Sequence, residues 1–326
     1  MNERRAVFLQ QASSAAGRSL LYDNLWRRLA DEPLVDELVD EYNWDTPLRI
    51  AGGLHYLVLD GKASWDAVPE ALGEHRDFLR RFVAEQGVQT NEVQRSWMLL
   101  PCFLEIARRS GADTLDLIEL GPSAGLNLVW DRYRYRYLSG EWGNDAARLE
   151  LEGEERRPVP AELLRLAPRV RGRVGIDHAP IDVSREDGAR LLKSFVWPDQ
   201  TWRLGQLDRA IEALREDPPE LVHADLVEEL PRVLAQRRRP DGLTVVFETA
   251  VLAYVGAEGT AKVYAALDQA ASTGPLAYVG THAPEPDVHT HYALAIRVWP
   301  NDREVVAHAD FHGAWLEWLA QPDQVD

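Results

Sequence analysis

The sequence predicts an α/β protein: a seven-stranded mixed sheet with helices on both faces, preceded by an all-helical N-terminal region. Three observations lead there. Up to about residue 112 apolar residues recur at helical spacing, without a strand signal. From residue 115 short apolar runs alternate with helical stretches, the pattern of a parallel sheet covered on both faces. Two last runs, residues 292–299 and 305–309, flank Pro300-Asn301-Asp302 and read as a closing hairpin, which puts one antiparallel strand into the sheet.

In the helical region Leu21, Leu25 and Leu29 share one face. Leu34 and Leu38, with Val35 and Val39, form the next, and Asp31 with Pro33 marks a helix start between them. Ile50, Leu54 and Val58 continue the pattern, followed by Leu79 and Val83 beside Phe78 and Phe82. The longest helix runs from a cap at Thr90 through Val93, Trp97, Leu100, Leu104 and Ala107. Arg108 and Arg109 in its last turn and Gly111 beyond it suit the helix dipole and a left-handed cap. Pro101 inside this helix predicts a kink. The domain division expected is a helical region over residues 1–112, able to lid a cleft, and an α/β domain over residues 113–326.

The α/β part opens with residues 115–120, an apolar run carrying Asp116 and Glu119 and bounded by glycine and proline, hence a buried strand. Arg132, Arg134 and Arg136 then alternate with Tyr133, Tyr135 and Tyr137; Ser139-Gly140 begins a turn, and residues 148–152 alternate again. This reads as an antiparallel hairpin inserted at about residues 132–152, tyrosines inward, arginines solvated or paired with acids. Residues 170–176 form a core strand ending at Asp177, and Ser184 with Asp187 resembles a capping box for a helix to about Lys193. Leu204, Leu207, Ile211 and Leu214 mark a helix. Strands follow at residues 221–223, 243–247 and 276–280, with a helix over residues 258–271 between the last two.

A formal net charge of −17 argues against nucleic acid and anionic membrane as partners, since both need clustered cations. No apolar run approaches membrane length, and the first residues carry no secretory pattern. The single cysteine, Cys102, rules out an internal disulfide framework and reads as an inert core thiol. The expectation is a cytoplasmic protein acting on a small molecule; no feature of the sequence fixes an oligomeric state.

Ligands of open α/β sheets bind beyond the carboxyl ends of the strands, and Glu119, Asp177, Asp225 and Glu248 all fall at or just after such ends. Gly121-Pro122-Ser123-Ala124-Gly125 follows the first strand. A glycine-rich turn of this kind lets backbone N–H groups approach a ligand. The same five residues match G-x-S-x-G, the nucleophile elbow, with Ser123 as nucleophile, Asp225 or Asp241 as acid and His308 or His312 as base. Several strands precede the elbow in that fold and none does here, which favours a cofactor loop. His282, His289 and His291, with Glu285 and Asp287, lack a recognised ligand spacing and read as a polar loop. Asn91 and Glu92 suit helix capping, and Arg95, beside them, is placed to contact a carboxylate if the helices cover the cleft.

The stretch from Glu119 to Gly125 resembles the first motif of class I S-adenosylmethionine-dependent methyltransferases, an acidic residue followed by spaced glycines. The seven-strand pattern with its closing hairpin is similar to their Rossmann-like fold. Longer stretches resemble an uncharacterised bacterial family, a domain of unknown function, over nearly the whole chain: L-G-P-S-A-G-L-N-L-V-W-D-R-Y-R-Y-R-Y (120–137), G-I-D-H-A-P-I-D (175–182), F-V-W-P-D-Q (195–200) and Q-T-N-E-V (89–93). The methyltransferase resemblance implies that Glu119, Gly121, Pro122, Ser123, Gly125 and Asn127 surround the amino-acid end of S-adenosylmethionine. It implies that Asp177 accepts the ribose hydroxyls and that Asp225 and Leu226 flank the adenine. Two departures stand out: Ser123 replaces the middle glycine, and the inserted hairpin separates Glu119 from Asp177 by more than the roughly 20 residues usual in dinucleotide sites. The expected activity is methyl transfer to a small acceptor, with Glu248 and Tyr254 positioning or deprotonating it, His312 as an acid or base, and Asn91 and Arg95 on the acceptor or lid side. A non-catalytic ligand-binding or association module on the same fold is the alternative, and a serine hydrolase the third reading.

Overall fold

Before the first strand the regular elements of the described residues are all helices: α1 (Glu3–Ala15), α2 (Leu20–Leu29), α3 (Thr46–Leu59), α4 (Val68–Glu74), α5 (Arg76–Glu85) and α6 (Arg95–Ser110), with short 3₁₀ turns among them. The computed structural model describes residues 3–88, 92–237, 239, 241–285 and 290–320; Thr90, the expected cap of α6, lies outside them. Twelve strands follow among the described residues: β1 (Thr114–Leu120), β2 (Arg134–Tyr137), β3 (Gly140–Gly143), β4 (Glu150–Glu152), β5 (Glu154–Arg157), β6 (Arg169–Asp177), β7 (Glu220–His223), β8 (Leu243–Glu248), β9 (Leu276–His282), β10 (Tyr292–Val298), β11 (Glu304–Ala309) and β12 (Trp315–Trp318). Between them run α7 (Glu186–Ser194), α8 (Thr201–Arg215), α9 (Leu226–Arg237) and α10 (Leu252–Ala271).

The sequence predicts one division near residue 112. The chain instead forms two compact units, residues Met1–Thr90 with Ile181–Asp208, and Asn91–Pro180 with Arg209–Asp326. In the first unit the Trp26 indole donates to Pro47 O at 3.1 Å, and the Trp197 ring packs edge-on against it at 6.0 Å. Ser19 caps α2 by accepting from Tyr22 N and donates its own hydroxyl to Asp199 at 2.7 Å. A Cβ on Gly52 would stand 2.9 Å from the Phe195 ring, so α3 needs glycine there. These contacts show why residues 181–208 belong with the N-terminal helices. The expected Ser184 capping box does not form: α7 has Arg185 at its N-cap with no side-chain bond, and Asp182 holds Ser184.

The second unit holds a nine-stranded mixed sheet in the order β5-β12-β11-β10-β9-β8-β1-β6-β7, two strands more than the sequence predicts. Five adjacent strands form one parallel block, and their spatial order β7-β6-β1-β8-β9 is 3-2-1-4-5 by position in the chain; β12 and β5 pair in parallel at the far edge. The expected closing hairpin is β10–β11, but β12 also pairs antiparallel with β11, so β10 is not the sole reversed strand. The missed strands are the outermost pair. β5 reads Glu-Glu-Arg-Arg and has no apolar face to signal it. The inserted segment also differs in detail. The antiparallel partner of β2 is β3, whereas β4, which contains most of the second predicted arm, pairs with β2 in parallel.

Helices cover both faces. Ile118, Leu120, Val174, Ile176, Val246 and Tyr278 meet α9 and α10 in one cluster. On the other face lies α6, buried from Arg95 to Ala107. Its Phe103 packs edge-on against Phe247 of β8 at 5.2 Å and stacks on Trp130 at 4.9 Å. A helix buried on all sides is part of a core, which is why α6 belongs to the sheet unit and not to the helices before it. Pro101 lies within α6 and removes the N–H that would bond Trp97 O. The Tyr137 hydroxyl supplies that donor at 2.5 Å. Tyr133 and Tyr135 likewise donate to Leu126 O at 2.8 Å and Trp130 O at 2.7 Å, in the 3₁₀ segment Leu126–Arg132 that follows β1. The interleaved arginines pair with acids, Arg136 with Glu150 at 3.0 Å and Arg132 with Asp217 at 2.5 Å.

Replacing Phe103 by alanine empties the contact between α6, Trp130 and β8. We expect a loss of about 3–5 kcal/mol in urea unfolding; a loss under about 1 kcal/mol would show that the stack is not a keystone of the sheet unit.

Candidate functional site

In a sheet of order 3-2-1-4-5 the direction of strand addition reverses between the first and fourth strands, here β1 and β8, and ligands of such sheets bind beyond the carboxyl ends at that reversal. The loop at Gly121-Pro122-Ser123-Ala124-Gly125 and the turn at Thr249-Ala250-Val251 meet there. Their packing is close. A Cβ on Gly121 (φ +68°) would stand 2.5 Å from Val251 Cγ2, and one on Gly125 (φ +81°) 2.9 Å from Pro219. Pro122 sits over Gly175 of β6, where a Cβ would come within 2.5 Å of its ring.

Asp177 fixes this loop. Its Oδ2 accepts from Ser123 N at 2.8 Å and its Oδ1 from Ala179 N at 2.9 Å, while Gly121 N donates to Ile176 O at 2.9 Å. Ser123 takes a positive φ of +53°, an uncommon conformation for a residue with a side chain, and this hydrogen bond helps hold it. Asp225 is the N-cap of α9, accepting from Val227 N at 2.8 Å and Glu228 N at 3.1 Å; Leu226 is buried in the α9–α10 core. Ala224 N bonds Asp177 O at 3.0 Å, so the start of α9 adjoins the end of β6.

The strand pleat separates the two glutamates of the reversal. Glu119 is in register with Phe247 and shares the α6 face; Glu248 is in register with Leu120 and shares the α9–α10 face. Glu119 is 2 % exposed, and its Oε2 has no hydrogen-bond partner. Burial, reinforced by the nearby Asp177 charge, pushes its carboxyl up to about 8, against hydrogen bonding from Asn127 and the positive charge of Arg95. Asn127 in turn accepts from Ser96 Oγ of α6 at 2.7 Å. Glu248 is fully buried; its Oε1 accepts from Thr281 N at 2.8 Å and Tyr278 Oη at 3.3 Å. Burial raises its carboxyl to about 7, outweighing those donors and the backbone at Leu252 and Val251.

Arg95 opens α6 and is 7 % exposed. Its Nε donates to Phe311 O at 2.9 Å, and its Nη1 to Thr249 Oγ1 at 3.3 Å and Thr249 O at 3.5 Å. The guanidinium lies 5.9 Å from the centre of the Tyr292 ring, which itself packs edge-on against Phe311 at 4.6 Å. His312 Nδ1 stands 3.4 Å from the buried Glu92 carboxylate. Tyr254 is 75 % exposed on the first turn of α10.

Of the residues singled out from the sequence, Glu119, Asn127, Asp177 and the loop from Gly121 to Gly125 come together on the α6 side, with Arg95 close enough for its charge to act on Glu119. Glu248 faces the other side, and Asn91 lies outside the described residues, as do His289 and Asp287. For the elbow reading, Asp241 pairs with Arg171 at 3.0 Å beside Asp116, near the amino ends of β1 and β8 and so opposite to Ser123. His308 of β11 packs against His291, just before β10, at 5.0 Å. Sequence reasoning did not single out Ser96, Thr249, Tyr292 and Phe311. Ser96, a small polar residue in an apolar helix, was the one visible signal; the others are recruited by chain returns over 150 residues away. Among the described residues no group of three or more His, Cys, Asp and Glu side chains could hold a metal ion, and no helix is long and apolar enough to cross a membrane.

The Glu119 shift has a definite sign. Between about 4.5 and about 8 the folded protein keeps a proton on Glu119 that the unfolded chain releases, so stability falls as pH rises through that window. Glu119→Gln, neutral throughout, should remove that component. The variant is expected to gain on the order of 3–5 kcal/mol over the parent between about pH 5 and pH 9 in urea unfolding. A constant difference across the range would show that Glu119 ionises normally.

No curated protein matches the chain. The sequence model of one protein family does, over residues 5–318. By that match, which takes in the glycine loop, Asp177 and Arg95, the chain belongs to the family described as "Uncharacterized protein conserved in bacteria (DUF2332)".

Proposed function

We propose that this protein binds S-adenosylmethionine at the carboxyl edge of its parallel strands and transfers the methyl group to a small acceptor. The observation that carries the reading is a glycine loop at the reversal of a 3-2-1-4-5 parallel order, held by a carboxylate at the end of the adjacent strand. That order, with the β10–β11 hairpin beyond it, supports a Rossmann-like fold of the class I methyltransferase type. The backbone of the loop favours this cofactor over a dinucleotide. A diphosphate needs free N–H groups at the start of a helix, or cations. Here a 3₁₀ segment follows the loop, Asp177 takes the Ser123 N–H, and Glu119 stands alongside. Carboxyl groups suit the ammonium and sulfonium of S-adenosylmethionine instead.

In this reading Gly121, Pro122, Ser123 and Gly125 form the floor under the amino-acid end. Glu119, with Asn127 orienting it, offers the buried and unpartnered Oε2 as a hydrogen-bonding group. Asp177 keeps lone pairs for the ribose hydroxyls after accepting its two N–H bonds, since a carboxylate has about four acceptor positions. Asp225 and Leu226 border the adenine. The Val251 side chain fills the space above Gly121, so admission of a ligand needs the turn after β8 to shift. Ala250 in that turn takes φ +71°, and Gly256 (φ +70°, ψ 178°) interrupts α10 soon after it. When bound, S-adenosylmethionine supplies a methyl group already activated by positive sulfur, so the protein's task reduces to alignment and exclusion of water. His312, in the turn after β11, and Tyr254, exposed on the first turn of α10, are the groups available to take a proton from the acceptor.

Calorimetric titration with S-adenosylmethionine and S-adenosylhomocysteine tests the proposal. Binding of both is expected, with loss on Gly121→Arg, whose side chain has no room beside Val251. Folded protein that gives no heat with either ligand rules the reading out. Binding without methyl transfer to any acceptor tried would favour a non-catalytic ligand-binding module.

A further inference from the structure

We infer that Arg95 anchors the carboxylate of the acceptor, and that the acceptor is a small carboxylic acid with an apolar, ring-sized body. This rests on reading the reversal between β1 and β8 as the substrate cleft. The first ground is an imbalance of charge. The chain carries 53 acidic residues against 36 Lys and Arg, and its other well-buried arginines have acids: Arg4 has Asp36 at 2.5 Å, Arg171 has Asp116 at 2.5 Å, and Arg173 has Asp131 at 2.6 Å. Arg95 is as buried as these, yet among the described residues its guanidinium has no ion-pair partner and bonds only Phe311 O and Thr249. A guanidinium does not shed its charge, and a desolvated cation without a counter-ion is costly. Such an arrangement persists where the anion arrives with a ligand.

The second ground is orientation. Nε and Nη1 are committed to the turn after β11 and the turn after β8, which fixes the plane of the guanidinium. Nη2 takes part in none of these bonds, so a carboxylate oxygen can bind there in the plane of the fork, with the charge of the whole group behind it. Glu119, on which the charge of Arg95 acts, has its carboxyl pushed up to about 8 by burial and so offers little counter-charge at neutral pH. The third ground is the surroundings. Tyr292 and Phe311, partly exposed and packed edge-on at 4.6 Å, flank the guanidinium and offer an aromatic wall for the apolar body of the ligand.

The test is binding of benzoate, with benzamide as the neutral isostere, to the full chain, free and saturated with S-adenosylhomocysteine. Benzoate is expected to bind and benzamide at least roughly tenfold more weakly. Arg95→Met should abolish the difference, and Arg95→Lys, which keeps the charge without the fork, should retain part of it; thermal melting of both variants checks that they are folded. Equal binding of benzoate and benzamide, or benzoate binding unchanged in Arg95→Met, overturns the proposal. A second arm separates the acceptor from the cofactor. 5′-Methylthioadenosine lacks the amino-acid end of S-adenosylhomocysteine, so a selective loss of the latter in Arg95→Met, with benzoate excluded by S-adenosylhomocysteine, would assign Arg95 to the cofactor and overturn the proposal as well. Carboxylate binding without any adenosyl ligand binding would leave the Arg95 assignment standing while the methyltransferase reading falls.

Discussion

Two hydrogen bonds to one carboxylate organise the carboxyl edge of the sheet. Asp177 accepts Ser123 N from the loop after β1 and Ala179 N from its own loop, so the two connections cannot move independently. Ser123 with φ +53° and glycines at both ends of the loop are conformations that need such a tie. Once the loop is set, Pro122 must lie on Gly175 and Gly121 beneath Val251, leaving no room for larger residues at any of the glycines. The arrangement of the whole edge therefore follows from a single acceptor at the end of β6.

Burial then assigns different characters to carboxyl groups that look alike in the sequence. Asp177 is engaged by backbone donors. Glu119, one strand away and on the α6 face, is buried without a partner for one oxygen and keeps its proton. Glu248, whose Oε2 likewise lacks a partner, is held through Oε1 by Thr281 and Tyr278 on the opposite face, and burial raises it less far. A site of this kind is polar without being strongly negative, and the uncompensated Arg95 beside it makes an anion welcome at a place where the overall charge of −17 would repel one.

Much of this was legible in the residues. The central strands β1, β8 and β9 announce themselves because they are buried on both faces and read as largely apolar runs, and the tyrosines of the Arg/Tyr stripe turn inward as their alternation requires. The outermost strands were not legible, because β5 is charged along its length and gains its place only from β12, about 160 residues later. The unit boundary was hidden for a related reason. Helical spacing shows that α6 and α7 are helices but not which core they join; that depends on Phe103 finding Trp130 and on Phe195 finding Gly52. At the site, the glycine loop and Asp177 could be picked out by type and position, whereas Phe311 and Thr249 contribute backbone carbonyls that no side-chain pattern encodes.

Pro101 places one more demand on the molecule. By withholding its N–H it leaves the carbonyl of Trp97 wanting a donor deep inside the core, and the donor that answers is a hydroxyl 40 residues further along the chain. The helix therefore cannot reach its final hydrogen-bonded state by local folding. Its hydrogen bonding is completed by β2, which follows β1, the glycine loop and the 3₁₀ segment in the chain. The proline thus ties α6 to the inserted strands: loss of the Tyr137 hydroxyl leaves a buried carbonyl without its donor in a different part of the chain.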